Sequence, residues 1–148
     1  MTDIDAFRDE DDDGESAAVA EKEPTLFYGS ADEFVRERLR YMYARRVGPG
    51  NASLRWAARW WDYPEALARI DALWRAWEYL RLDGATGSST WWIEHADHHM
   101  PILISPEGPF AKSEDKNNAG EPLPYEAAPV EPFPDMRKNC QQARQLGV

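Results

Sequence analysis

A single cysteine, Cys140, occurs in the 148 residues, so the chain cannot close an intramolecular disulfide. That usage points to a reducing compartment. Histidine is almost as scarce: all three lie within residues 95–99, which confines any imidazole-based site to one short segment. Long apolar runs are missing. The longest stretches, such as Met100–Ile104, fall far short of the roughly 20 residues a spanning helix needs. The first residues (Met1-Thr2-Asp3-Ile4-Asp5) have neither a basic nor an apolar region, so no signal peptide is expected. Neither the dinucleotide nor the Walker phosphate fingerprint is present. Ser88-Ser89 follows Gly87 but lacks the nucleophile-elbow pattern, and Cys140 has no activating neighbour. These absences read as a cytoplasmic chain with no membrane partner, and they leave nucleophilic catalysis without its parts.

Charge and tryptophan are present and unevenly placed. Residues 1–24 carry two basic groups against ten acids, a net of −8. Residues 25–112 balance eleven against eleven, and residues 113–148 carry four against six. All seven Trp lie between Trp56 and Trp92. Trp brings the largest apolar area per residue, so about 88 residues at 25–112 suffice for a core. The run Asp9-Glu10-Asp11-Asp12-Asp13 and the prolines at 122, 124, 129, 132 and 134 mark 1–24 and 113–148 as disordered tails.

Within 25–112 the first helix opens at Ser30-Ala31-Asp32-Glu33, a capping box, and stops before Gly48-Pro49-Gly50-Asn51. Residues 52–62 read as a short helix with Trp56 and Trp60 on one face. Pro64 opens a long helix to about Leu82, with Gly84 as its stop. Its apolar positions, from Ala66 to Leu80, fall within an arc of roughly 140°. Thr90–His95 and Met100–Ile104 read as strands joined by Ala96-Asp97-His98-His99. The expected fold is therefore α+β: two main helices, a short Trp-bearing helix and a C-terminal β-hairpin in two layers.

The string Arg55-Trp56, Arg59-Trp60-Trp61, Pro64-Glu65-Ala66, Arg69-Ile70, Leu73-Trp74-Arg75-Ala76-Trp77-Glu78, Trp91-Trp92, His95-Ala96-Asp97 and Gly108-Pro109-Phe110 resembles an uncharacterised actinobacterial family. That family is domain of unknown function forty-nine thirteen. The resemblance covers about residues 26–112. It implies a setting in actinobacterial chromosomes, phages or mobile elements, and it brings no activity, cofactor or catalytic residue. Tyr63 stands where the resemblance implies a His, which removes that position from any metal set.

Three constellations carry candidate chemistry. In an extended strand, His95, Asp97 and His99 share one side and make a two-His, one-carboxylate set for a divalent metal. The competing reading is a polar hairpin turn with no cofactor. Arg45, Arg46, Arg55 and Arg59 surround the Gly-Pro-Gly turn and would suit nucleic acid if they met on one face. Against this stand the neutral domain and the acidic tails. Trp60, Trp61, Trp91 and Trp92 form adjacent pairs that a small domain has difficulty covering, and an exposed Trp suits a protein interface. The favoured function is a non-enzymatic module binding another protein. The alternatives are a nucleic-acid accessory protein and a metal-dependent enzyme.

Overall fold

The computed structural model describes residues 25–50 and 54–137. The N-terminal tail with its acidic run, and Cys140, lie outside them.

The described residues form helices and irregular segments with no strand. This corrects the α+β expectation and removes the hairpin. Helix α1 spans residues 31–42. It runs as α-helix over Ala31–Phe34, widens to a π-type turn over Val35–Leu39, and finishes as Arg40–Met42. Ser30 caps it: its hydroxyl accepts from the Glu33 amide, while the Glu33 carboxylate accepts from the Gly29 amide. The expected helix at 52–62 reduces to a 3₁₀ turn at Trp60–Asp62. Helix α2, Pro64–Leu80, begins as expected with proline in its first turn. Helix α3 spans residues 87–104 as Gly87–Thr90, a π-type turn Trp91–Ala96, and Asp97–Ile104. It occupies the whole stretch read as a hairpin.

Helix α2 is central and packs on α1, on the 3₁₀ turn and on α3. The short link 81–86 makes α2 and α3 neighbours. Asp83 organises that link by accepting from the Ala85 and Thr86 amides and the Thr86 hydroxyl. The core gathers Phe34, Val35 and Leu39 from α1, Trp56 and Trp60 from the following loop, Ile70 and Leu73 from α2, and Trp91, Met100 and Leu103 from α3. Full burial of each such side chain contributes about 1.5–3 kcal/mol.

Residues 105–137 then return across the bundle as a strap. Phe110 and Leu123 are completely buried. Asn117 accepts from the Val47 amide and donates to the Arg45, Glu121 and Pro122 carbonyls. The Leu123 amide donates to the Arg40 carbonyl, and Arg40 Nε donates back to the Leu123 carbonyl. The Tyr125 hydroxyl donates to the Asp32 carboxylate at 2.9 Å. Burial pushes the Asp32 carboxyl above its ordinary value against the pull of that bond. Burial, reinforced by Asp32, pushes the Tyr125 hydroxyl up to about 12. Arg137 joins Glu33 at 2.8 Å and donates to the Phe27 carbonyl. The boundary expected at residue 112 thus falls inside a continuously packed segment. Prolines and side-chain hydrogen bonds hold the strap where a periodic pattern is lacking.

Candidate functional site

The histidine segment lies on α3. Residues two apart on a helix point about 200° apart, so Asp97 leaves the side that His95 and His99 share. The alternation that would align all three belongs to a strand, and residues 95–99 are helical. His99 Nδ1 accepts from Arg69 Nη1 at 2.9 Å, which sets a guanidinium beside it. Burial, and then the Arg69 charge, hold the His99 imidazolium below its ordinary range. Among the described residues no three His, Cys, Asp or Glu side chains are grouped to hold a metal ion.

The four arginines separate. Arg55 donates to the Ser113 carbonyl under the strap. Arg59 pairs with Asp62 at 3.0 Å and Glu126 at 3.4 Å, and stacks on Trp61. Arg45 stacks on Tyr43, whose hydroxyl burial and the Asp97 charge push up to about 12. Arg46 lines a polar hollow with Lys116 and Asn118. Arg45, Arg46 and Arg59 are exposed, and among the described residues Arg45 and Arg46 form no ion pair whereas Arg59 does.

The tryptophans build the interior. Trp60 and Trp91 are buried, and Trp91 Nε1 donates to the Leu73 carbonyl. Trp61 and Trp92 are partly covered and pack against the core, Trp92 on Tyr43 and Trp91. Buried Trp60 and Trp91 have no face to give a partner.

A surface that sequence reading does not single out runs along the outer side of α2. One hollow of roughly 450 Å³ has Leu67, Ala68 and Trp74 as its floor, Ser30 and Ala31 on one wall, and Phe133 and Met136 of the strap on the other. A second, of roughly 320 Å³, continues it past Leu26, Tyr79 and Leu82. Trp74, Arg75 and Met136 belong to both, so the two hollows form one trough. Tyr79 is 76 % exposed, Leu82 50 % and Met136 41 %. The trough's charges are already matched: Arg75 to Asp71 at 2.8 Å, and Arg81 to Glu78 at 3.0 Å. Glu78 is buried with its carboxylate filled by four donors. No nucleophile with an adjacent base lines these walls, so the trough suits apolar recognition rather than catalysis.

One signal for this surface stood in the sequence. Leu67 and Trp74 stand at the edge of the apolar arc of α2 that this surface borders, whereas Tyr79 lies on the far side of the helix from that arc. Phe133 and Met136 carried no such signal, because no periodicity places them.

Among the described residues no helix is long and apolar enough to cross a membrane. No curated protein and no solved structure matches the chain. A family model does match, over residues 28–134, and that span takes in both the helices and the strap: the chain belongs to the family described as Domain of unknown function (DUF4913).

Proposed function

We propose that this chain is a non-enzymatic docking module, which receives an apolar segment of a partner protein in the trough along α2. The observation that carries this is the cluster of Tyr79, Leu82 and Met136, exposed around a Trp74 floor, with the neighbouring charges paired internally. Contiguous exposed apolar surface with a polar rim marks interaction sites. The partner is expected to insert aromatic or aliphatic anchors, as in helix-in-groove recognition. The nucleic-acid reading has less behind it, since Arg55 and Arg59 are engaged elsewhere.

The test is site-specific photo-crosslinking in the native host from position 79, with the adducts identified by mass spectrometry. A defined adduct is expected from position 79 and not from position 41, which is exposed on α1. Tyr79→Asp with Leu82→Asp should cut capture of that partner at least tenfold, while Ile93→Asp on α3 leaves it unchanged. Equal capture by all variants would reject the trough as the docking surface.

A further inference from the structure

We infer that the polar hollow between residues 46–48 and 116–121 binds a single phosphate group, free or carried on a small molecule, through Arg46 and Lys116. None of the residues lining it belongs to the α2 trough, so the inference goes beyond the docking reading and does not rest on it.

Arg46 and Lys116 are far apart in sequence, and Asn117 brings them together. Its Oδ1 accepts from the Val47 amide at 2.8 Å, and its Nδ2 donates to the Arg45 carbonyl at 3.0 Å. Its own amide donates to the Val47 carbonyl at 3.3 Å. Gly48 completes the approach. It sits at φ 143°, and a Cβ there would stand 2.8 Å from the Lys116 Cβ, so the lysine stem lies against bare backbone.

Charge then sets these two cations apart. The other described arginines are each engaged by a carboxylate, a carbonyl or an aromatic ring. Arg46 and Lys116 are exposed, and among the described residues neither side chain forms an ion pair or a hydrogen bond. The carboxylate that lines the hollow, Glu121, is taken up by Asn118, whose amide and Nδ2 donate to its two oxygens at 3.1 and 3.0 Å. Those bonds, the side-chain one first, hold the Glu121 carboxyl below its usual range. The two cations are therefore left to face the hollow with donors to give. A guanidinium fork takes two oxygens of a phosphate, and an ammonium takes a third as a point charge. The hollow measures roughly 350 Å³, near the lower end for small-molecule sites. No aromatic side chain lines it, so a nucleobase finds no stacking platform, and a lone phosphate group fits better than single-stranded nucleic acid.

The test titrates inorganic phosphate into the 15N-labelled full chain near neutral pH, with sodium chloride balancing the ionic strength, and follows the amides. Saturable shifts are expected at residues 46–48 and 116–118, half-complete at about 1 mM or below. Arg46→Gln and Lys116→Gln should each weaken binding at least about fivefold. Lys112→Gln, at an exposed lysine of the strap outside the hollow, should leave it unchanged. Both altered side chains are exposed, so an otherwise unchanged spectrum certifies the fold. Ribose 5-phosphate separates the sources: tighter binding than phosphate assigns the site to a phosphorylated small molecule, and equal or weaker binding assigns it to the free ion. Shifts that rise without saturation, or that persist when Arg46→Gln and Lys116→Gln are combined, would overturn the inference. So would a short single strand of DNA that moves the amides of residues 43–45 and 54–59 together with those of the hollow, since the cations would then serve a nucleic-acid face. The titration does not touch the trough, so its failure leaves the crosslinking test of docking intact.

Discussion

Glu78→Ala should be among the most damaging single changes in the protein. The side chain is 7 % exposed on α2. Its two oxygens accept from the Phe27 amide at 2.8 Å, the Tyr28 amide at 2.9 Å, Arg81 Nε at 3.0 Å and Trp74 Nε1 at 3.2 Å. One carboxylate thus fastens the segment before α1 to the middle helix. After truncation, Arg81 and the half-exposed Phe27 segment regain water. The Tyr28 amide and the Trp74 indole stay buried without an acceptor. Each of these two buried donors left unsatisfied costs about 1–3 kcal/mol. A total near 4 kcal/mol is expected, a large part of the ~5–15 kcal/mol a domain has. With a urea slope of about 2 kcal/mol/M, the unfolding midpoint falls by about 2 M. Glu78→Gln keeps the shape but turns an NH₂ toward a donor, and should lose about 2–3 kcal/mol. Arg81→Ala removes only a partly exposed partner and should cost about 1 kcal/mol. If Glu78→Gln lies within 0.5 kcal/mol of wild type, or Arg81→Ala matches Glu78→Ala, the backbone-fastening argument is wrong.

Three further outcomes follow from the same structure. Leu123→Ala should destabilise by about 2–4 kcal/mol in urea melts, as much as a deletion within the helices, because Leu123 is fully buried. Gly87→Ala should cost about 1–3 kcal/mol or more, since a Cβ there would sit 1.8 Å from the Leu80 carbonyl oxygen, while Gly84→Ala meets nothing within 4 Å and should be tolerated; paired thermal melts decide this. The imidazolium of His99 is disfavoured in the fold, so the unfolded chain binds its proton first as pH falls. Stability is then fully present above the unfolded value of 6.5 and is lost as pH drops through the lower folded value. His99→Gln should flatten that slope in urea midpoints taken between pH 5 and 7.5, and an unchanged slope would remove the Arg69 contact from the account.

The first two helices were legible because their signals are local. Ser30 and Glu33 announce α1, and Pro64 with the stripe Ala66, Ile70, Leu73 announces α2. Helix α3 was not legible, and its buried positions show why. Trp91 and Ala96 are five apart, whereas Ala96, Met100 and Leu103 keep helical spacing. The π-type turn over Trp91–Ala96 takes up the extra residue, so the face stays continuous in space while the period breaks in sequence. Thr90, Ile93 and Pro101 then tip a local reading toward strand and turn. The strap was hidden for another reason: Asn117, Tyr125 and Arg137 act through contacts 70 to 110 residues away, which no window of neighbours contains. The same holds for the trough, to which the strap contributes Pro132, Phe133, Pro134 and Met136.

Those distant contacts also bear on how the chain reaches its structure. Arg40 meets Leu123 across 83 residues, Asp32 meets Tyr125 across 93, Glu33 meets Arg137 across 104 and Phe27 meets Arg137 across 110. A bundle of three helices would ordinarily form fast, from contacts close in sequence. Here the last stitches close loops nearly as long as the described chain, and loop-closure entropy opposes each until the previous ones are set. During synthesis α1 emerges with the Asp32 carboxylate and the Glu33 side chain waiting for partners made about a hundred residues later. An all-helical architecture therefore inherits the search problem of a non-local topology, with its closing step at the C-terminal end of the strap.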